Sequence, residues 1–216
     1  MIIPKLHYIS QGNSPKEHLE NIQKACTSGA ELVQLRLKNV SEKKLLKIAT
    51  QAKEITSHFQ TRLIINDNYK IAKEIKADGV HLGPIDTCPL VARKHLYSWQ
   101  TIGATASTLH DCETLLDKEV NYISLGPLRE TTTKENTSPI LGLNGIKAIT
   151  NVLKTPIPII AVGGITTEDI KDLLAVEISG VAISSAITQN FDSIRTFNKL
   201  LSASSTEEQR YTFNKE

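Results

Sequence analysis

The chain has 216 residues, 40% of them hydrophobic, which is enough for one ordinary domain with a substantial core. Its formal net charge of +2 is too small to indicate a nucleic-acid surface, because lysines alternate with glutamates instead of clustering. No apolar stretch reaches the ~20 residues that span a bilayer, and the N-terminus lacks the basic region and apolar core of a signal peptide. The sequence therefore predicts no nucleic-acid or membrane partner and a cytoplasmic location.

The three cysteines give no sign of a disulfide framework or a zinc site. Cys26, Cys88 and Cys112 are odd in number, far apart and without CxxC spacing. Both kinds of site need paired or clustered cysteines. A reducing, cytoplasmic environment is the simplest interpretation.

Short apolar runs recur along the chain, and each ends in polar or glycine-containing residues. Runs of this length are typical of buried strands in a parallel sheet. Eight strands are predicted, over residues 6–10, 32–37, 63–65, 79–82, 101–104, 122–125, 158–162 and 180–184.

A helical stretch follows each predicted strand. The first helix is expected to begin after Ser14, which can cap it, with Pro15 at the first helical position, and Ser41 is placed to cap the second. The helices are predicted over residues 14–28, 45–59, 69–75, 89–96, 108–116, 143–153, 167–174 and 194–201.

These elements amount to eight strand and helix pairs, as closure of an α/β (β/α)8 TIM barrel requires. A barrel of this kind typically takes ~200 to 250 residues, and we expect residues 1–201 to form it as a single catalytic domain. A doubly wound open sheet is the alternative. Residues 202–216 are polar and lack a periodic apolar face, so a flexible C-terminal tail is predicted there.

Two cations lie at the end of the second strand in an alternating pattern. Gln34, Arg36 and Lys38 are separated by apolar residues, so an extended chain projects all three to the same side, at the mouth of the barrel. Strands avoid charge unless an anion meets it, and arginine donates paired hydrogen bonds to phosphate. The pattern favours a phosphate site, and a surface or structural ion pair is the alternative.

Oxygen ligands end the third strand and follow the fourth. Asn66 and Asp67 close the third strand and Asp86 lies just beyond the fourth, so the two carboxylates are expected at neighbouring positions on one face. Mg²⁺ takes one or two protein carboxylates and keeps several waters, which suits a site beside a diphosphate. Ordinary turn and N-cap roles are the alternative.

The loop after the sixth strand carries groups that suit an anion. Residues 126–142 read GPLRETTTKENTSPILG, with three consecutive threonines before Lys134. Hydroxyls beside a lysine suit phosphate oxygens, and loops of this kind build the active face of a barrel. A plain solvated loop is the alternative.

A second phosphate site is predicted at the last two strands. Gly163 and Gly164 follow the seventh strand, and Ser184 and Ser185 close the eighth, which is where many barrels hold a phosphate. A glycine turn that only requires positive φ is the alternative. Two anion sites and a carboxylate pair at one mouth favour a reaction that joins two phosphorylated partners.

The histidines of the first and fourth strands form no catalytic pattern. His7 and His81 lie inside predicted strands, where packing in the core is more usual than catalysis. The sequence offers no Ser/His/Asp or Cys/His arrangement that would support a nucleophilic mechanism.

Seven motifs, in this order, resemble the thiamine phosphate synthase family. They are QLRLK at 34–38, IND at 65–67, DGVHLGPID at 78–86, GPLRETTTK at 126–134, PILGL at 139–143, AVGGI at 161–165 and GVAISSAI at 180–187. The resemblance runs from about residue 6 to 201. It implies a Mg²⁺-assisted condensation of 4-amino-2-methyl-5-hydroxymethylpyrimidine diphosphate with 4-methyl-5-(2-phosphoethyl)thiazole, giving thiamine phosphate and diphosphate.

The resemblance also implies roles for individual residues. The diphosphate would be held by Arg36, Lys38, Asn66 and Lys134, and the catalytic residues among them would be the three cations, which neutralise the leaving group. Mg²⁺ would be bound by Asp67 and Asp86. The pyrimidine would be contacted by Gln34, with Thr105 where the family usually has a serine beside the pyrimidine and diphosphate. The thiazole phosphate would be received by Thr131, Thr133, Gly164, Ser184 and Ser185.

Two residues depart from the family pattern. Arg129 stands where the family often has an aromatic or small apolar residue, and Thr105 replaces serine. A related thiazole tautomerase typically has a histidine two residues after that serine, where this chain has Ser107. A silent phosphate-binding barrel would not need the metal carboxylates, and a sugar-phosphate isomerase or epimerase would need an acid/base pair at the mouth. The synthase is therefore favoured. The sequence leaves the oligomeric state open, and a homo-oligomer is one of the alternatives.

Overall fold

The computed structural model describes residues 2–131 and 139–207, with side chains as far as residue 202. Its eight parallel strands pair in chain order and the last pairs with the first, so the sheet closes into a barrel. The strands are β1 (Leu6–Ile9), β2 (Leu32–Leu35), β3 (Arg62–Asn66), β4 (Gly79–Leu82), β5 (Thr101–Ala106), β6 (Tyr122–Leu125), β7 (Ile159–Val162) and β8 (Gly180–Ile183). The predicted TIM barrel is confirmed, and the open sheet is excluded.

Helices follow every strand and cover the outside of the barrel. They are α1 (Pro15–Thr27), α2 (Glu42–His58), α3 (Tyr69–Glu74), α4 (Pro89–His95), α5 (Leu109–Leu116), α6 (Gly142–Val152), α7 (Ile170–Ala175), α8 (Ser185–Gln189) and α9 (Ser193–Glu207). The predicted caps are confirmed, because the hydroxyls of Ser14 and Ser41 accept hydrogen bonds from the N–H groups of Glu17 at 3.2 Å and Lys44 at 3.4 Å.

The end of the chain differs from the prediction in two ways. A short additional helix, α8, begins at Ser185 directly after β8. The final helix, expected to end at residue 201, continues to Glu207. Residues 208–216 of the predicted tail lie outside the described residues, so the domain boundary stays a prediction. Within the described ranges, no helix is long and apolar enough to cross a membrane.

Buried apolar side chains form two separate groups. The larger group lies between the strands and the helices and includes Val33 and Leu35 of β2. The smaller group lies inside the barrel and consists of Tyr122, Ile160 and Ala182. Because side chains alternate along a strand, Gln34, between two outward residues, points into the barrel. Inward side chains at the carboxyl ends of the strands therefore form the barrel mouth.

Candidate active site

Polar side chains from β2 and β3 meet inside the barrel mouth. The register pairs Gln34 of β2 with Ile64 of β3, so Asn66, two residues further along β3, lies on the same face. The Gln34 amide donates a hydrogen bond to Asn66 Oδ1 at 3.2 Å. Two residues predicted from separate motifs therefore share one site.

Arg36 continues the inward face of β2 beyond the end of the strand. Its N–H donates a hydrogen bond to Ser10 Oγ at 3.1 Å, and that oxygen lies 2.9 Å from His18 Nδ1. Burial lowers the pKa of the guanidinium, and the nearby Asp67 carboxylate opposes this shift. Arginine stays charged in proteins, so the mouth contains a partly dehydrated cation that a bound anion would stabilise.

Lys38 forms an ion pair with a predicted metal ligand. Its Nζ lies 2.6 Å from Asp67 Oδ2. The Lys38 side chain is 51% exposed, and exposed pairs contribute only ~0 to 1 kcal/mol. The ion pair that the sequence left as an alternative for Lys38 is therefore present, but it is weak enough for a diphosphate or a metal ion to replace it.

Asp67 and Asp86 share a hydrogen bond between their carboxyl groups, and Asp86 Oδ2 also accepts one from the Gly83 N–H at 2.6 Å. Burial and then the neighbouring Asp67 raise the pKa of Asp86 to about 6. Burial also acts to raise the pKa of Asp67, but hydrogen bonds from Asp86 and Lys38 outweigh it and the pKa is lowered. The pair therefore holds one proton at mildly acidic pH, as expected where two like charges meet.

The chemistry of this carboxylate pair fits Mg²⁺. A divalent cation would relieve the repulsion between the two carboxylates, and Mg²⁺ takes one or two of them while waters fill its other positions. In the described part of the chain, no group of three or more His, Cys, Asp or Glu side chains could hold a metal ion.

Thr105 lies near the carboxyl end of β5 and contacts His81 of β4. Its Oγ1 is 2.9 Å from His81 Nε2, and His81 Nδ1 is 3.0 Å from the Tyr122 hydroxyl. His81 is buried, as predicted for a core histidine, yet it touches a predicted substrate residue. The contact of Tyr122 with His81 was not predicted from the sequence, because an aromatic residue in an apolar strand is typical of core packing.

The turn after β7 has a backbone conformation that glycine adopts most readily. Gly163 and Gly164 have φ values of +101° and +66°. A Cβ at Gly163 would lie 2.5 Å from Pro127 Cβ and 3.1 Å from the Leu128 nitrogen. The loop after β6 therefore runs directly over this turn. A turn that needs glycine only for its positive φ was the alternative to a phosphate site at these two residues. The positive φ values are present, at the position where a phosphate was predicted.

Ser184 and Ser185 follow β8 next to this glycine turn, since β7 and β8 are paired. Both serines are half-buried, and the Ser184 hydroxyl donates to Gln11 Oε1 at 3.4 Å. In barrel order β8 is four strands from β4, which leads to Asp86. Ser184 and Ser185 therefore lie across the mouth from Asp86.

Arg129 joins the loop after β6 to the turn after β7. Its guanidinium donates to the Gly164 carbonyl oxygen at 2.9 Å and to both carboxylate oxygens of Asp169, one of them at 2.6 Å. The hydrogen bond to Asp169 raises the pKa of Arg129. Asp169 also accepts a hydrogen bond from the Thr166 N–H at 2.8 Å. The residue that departs from the family pattern therefore fastens two loops of the site together.

A cavity of about 490 Å³ opens between the loops after β1 and β2. Its lining includes Arg36, Lys38, Ser184, Ser10, Gln11 and His18. The loop after β1 was not predicted from the sequence to take part in the site. The signal was present, because residues 10–14 read SQGNS directly after the first strand, the same change from apolar to polar that marks the other loops.

The loop after β6 is described only in part. Thr131 is half-buried and is the last residue described before residue 139. Thr133 and Lys134 lie outside the described residues. Their roles in phosphate and diphosphate binding stay predictions.

The sequence matches the thiamine monophosphate synthase family over residues 6–187. The thiamine-phosphate synthase of Flavobacterium johnsoniae is 42% identical over 189 residues, covering 86% of this chain and 89% of that protein. The thiamine-phosphate synthase of Flavobacterium psychrophilum is 41% identical over 203 residues, covering 91% of this chain and 98% of that protein. Among solved structures, the thiamine phosphate pyrophosphorylase of Pyrococcus furiosus superposes with a TM-score of 0.79 at 26% identity, covering 92% of this chain and 96% of that one.

Proposed function

The chain belongs to the thiamine monophosphate synthase family and is a transferase that makes thiamine phosphate, and we propose that it joins hydroxymethylpyrimidine diphosphate to thiazole phosphate and releases diphosphate. One observation carries the proposal. The carboxylate pair Asp67 and Asp86, with its adjoining cations, shares a mouth with the glycine and serine residues that suit a second phosphate. Such a mouth suits two phosphorylated substrates held face to face.

On the diphosphate side, Arg36 and Lys38 balance the charge of the leaving group. Arg36 is partly buried, and its backbone N–H is held by Ser10 at the end of β1, so its side chain starts from a fixed point at the mouth. Lys38 exchanges its weak pair with Asp67 for the diphosphate. Asn66, already held by the Gln34 amide, contributes a neutral donor, and Gln34 contacts the pyrimidine. Lys134 would add a third cation from the loop after β6.

The carboxylates Asp67 and Asp86 would hold Mg²⁺, which supplies positive charge to the departing diphosphate when it is bound. The two carboxyl groups already interact through a hydrogen bond, so the ion would require no large rearrangement of β3 and β4. The proton that the two carboxyl groups share must leave before the metal ion binds. Metal binding would therefore be favoured above the raised pKa of Asp86, which is about 6.

The bond changes need no nucleophile from the protein. The carbon–oxygen bond to the diphosphate breaks and its electron pair leaves with the oxygen. The aminopyrimidine ring stabilises the resulting cation, and the thiazole nitrogen then donates its lone pair to form the new carbon–nitrogen bond. The residues of this chain contribute positioning and charge stabilisation.

Around the ends of β7 and β8 and the loop after β6, we assign the thiazole phosphate to Gly164, Ser184 and Ser185, together with Thr131 and Thr133. Glycine lets a phosphate approach the backbone closely, and serine hydroxyls donate hydrogen bonds to its oxygens. Arg129 supports this side indirectly, since it binds the Gly164 carbonyl oxygen and so fixes the orientation of that peptide.

A two-substrate assay tests the function directly. The purified chain, both substrates and Mg²⁺ should release diphosphate and form thiamine phosphate in equal amounts, and chelation of Mg²⁺ should stop both. Lys38→Met should lower kcat by about tenfold or more, as loss of a charge that stabilises the transition state. Lys154→Met is the matched control, because Lys154 also forms an exposed ion pair, with Glu177, at the other end of the barrel.

Diphosphate release without the thiazole phosphate, at the rate seen with it, would contradict the condensation. Equal loss of activity in the Lys38 and Lys154 variants would contradict the assignment of the diphosphate side.

A further inference from the structure

Tyr122 places a phenol hydroxyl inside the barrel. Its side chain is 1% exposed, and its ring packs edge-on against His7 with 5.0 Å between centroids. Room for it depends on a glycine in β5, because a Cβ at Gly103 would lie 2.0 Å from Tyr122 Cζ and 2.4 Å from the hydroxyl oxygen. Strand β5 therefore lacks a side chain where this hydroxyl lies.

The hydroxyl of Tyr122 must donate a hydrogen bond. Burial raises the pKa of Tyr122, so the oxygen keeps its hydrogen. In the described part of the chain, its hydrogen-bond partner is His81 Nδ1 at 3.0 Å, with the two rings stacked at 5.6 Å. A buried hydroxyl hydrogen without an acceptor is costly. The favoured arrangement is therefore Tyr122 as donor and His81 Nδ1 as acceptor.

This arrangement fixes the direction of the next hydrogen bond. A neutral imidazole that accepts at Nδ1 carries its hydrogen on Nε2. His81 Nε2 therefore donates to Thr105 Oγ1 at 2.9 Å. Since the Thr105 oxygen accepts this bond, its own hydrogen is free to point along a different direction. Thr105 is half-buried at the mouth, so that hydrogen can reach a ligand bound there.

We propose that Tyr122 is a positioning residue, which acts through His81 to present the Thr105 hydroxyl as a hydrogen-bond donor to the pyrimidine diphosphate. The inference rests on the proposed function, because the substrate contact of Thr105 comes from the family resemblance. A hydroxyl hydrogen directed at the mouth attracts diphosphate oxygens, whereas the reverse chain of donors would direct a lone pair at them and repel them. The β-branched Thr105 adds stiffness at χ1 that a serine lacks.

The first test is Tyr122→Phe, which removes one oxygen and keeps the ring that fills the space beside Gly103. We expect kcat/KM for the pyrimidine diphosphate to fall about five- to thirtyfold, as for loss of one hydrogen bond to a charged group. The KM for the thiazole phosphate should stay within about twofold. Tyr8→Phe is the matched control, since Tyr8 is also fully buried and its hydroxyl lies 2.9 Å from Thr188 Oγ1. It should leave the KM for the pyrimidine diphosphate unchanged.

A double-mutant cycle tests whether Tyr122 acts through Thr105. Thr105→Val keeps the shape of the side chain and removes its hydroxyl. If the inference is right, Tyr122→Phe causes no further loss in the Thr105→Val background. Additive losses, or an equal rise in KM for both substrates, would overturn it.

Nuclear magnetic resonance of the histidine rings gives a readout without turnover. In ¹⁵N-labelled protein, His81 should be protonated at Nε2, and Tyr122→Phe should remove this single tautomer, with the signals assigned by comparison with a His81→Gln sample. A His81 protonated at Nδ1 in the parent chain would overturn the inference. If turnover of the parent chain fails while the tautomer is as expected, the proposed function fails and the hydrogen-bond chain stands.

Discussion

Replacing Asp86 by asparagine should stabilise the metal-free protein and abolish its response to Mg²⁺. The asparagine side chain keeps an oxygen that can accept the hydrogen bond from the Gly83 N–H, now 2.6 Å long. It removes the charge that burial and Asp67 make unfavourable, which is the reason the pKa of Asp86 is raised to about 6. The substitution therefore separates the charge of Asp86 from its structural contact.

The direction in which pH changes the stability of the fold follows from the difference in the pKa of Asp86 between the folded and the unfolded chain. A carboxyl whose pKa is higher in the folded than in the unfolded chain stabilises the fold in its protonated form. That contribution is fully present below the ordinary value of 3.8 and is lost as the pH rises through about 6. The difference between these values corresponds to ~3 kcal/mol as an upper limit. Because the side chain is partly exposed, solvent screening reduces this to on the order of 1 kcal/mol.

Thermal unfolding measured against pH, with and without Mg²⁺, provides the assay. At pH 8 without metal, Asp86→Asn should raise the Tm by ~2 to 4 °C, the shift expected for ~1 kcal/mol in a domain of this size. The gain should shrink as the pH falls from 7 towards 4. Mg²⁺ should raise the Tm of the parent chain and leave that of the variant unchanged. Asp172→Asn, at an exposed position on α7, controls for the change in net charge.

Two outcomes would refute this reasoning. A lower Tm for Asp86→Asn at pH 8 would mean that the charged carboxyl stabilises the fold. A Mg²⁺ response equal to that of the parent chain would mean that Asp86 is not a ligand.

Four further expectations concern the phosphate contacts. Arg36→Ala should raise the KM for the pyrimidine diphosphate more than about tenfold and leave the KM for the thiazole phosphate nearly unchanged. Ser185→Ala should instead raise the KM for the thiazole phosphate about five- to thirtyfold and leave the KM for the pyrimidine diphosphate nearly unchanged. Both effects are measured by steady-state titration of each substrate at saturation of the other. Arg129→Ala frees the Gly164 carbonyl oxygen, so the KM for the thiazole phosphate should rise severalfold while the Tm falls only slightly, as checked by kinetics and thermal unfolding of the same sample. Lys134→Ala should lower kcat more than it raises KM in single-turnover and steady-state assays, because its charge matters most as the diphosphate departs.

The fold could be predicted because its signal is local and repeated. Each strand is a short apolar run that ends in polar residues, and closure needs only the count of such runs. Helix α8 could not be predicted, since five residues from Ser185 are too few to show a helical period. The extension of α9 to Glu207 was missed for a related reason, because the residues beyond Leu201 carry no apolar face that would mark them as helical.

The positions of candidate site residues could be predicted where strand ends alone decide them. Gln34 and Asn66 were assigned from separate motifs, and the parallel register brings them together. Contacts that depend on loop paths could not be read in this way. The pairing of Arg129 with Asp169 requires the loop after β6 to lie over the turn after β7, and the sequence gives no sign of it. The hydrogen bond of Tyr122 to His81 could not be predicted because it depends on the space that Gly103 leaves in the neighbouring strand.

The ion pair between Lys38 and Asp67 has a thermodynamic consequence for the order and strength of ligand binding. If the ammonium group moves from Asp67 onto a diphosphate, its 2.6 Å contact with Asp67 is lost. A cation that takes over Asp67 releases Lys38, and a diphosphate that takes Lys38 exposes Asp67. Each ligand therefore removes an obstacle to the other, and by reciprocity the two affinities rise by the same factor. If the proposed contacts hold, the substrate and its counter-ion would behave as one cooperative unit, although each contacts a different side chain.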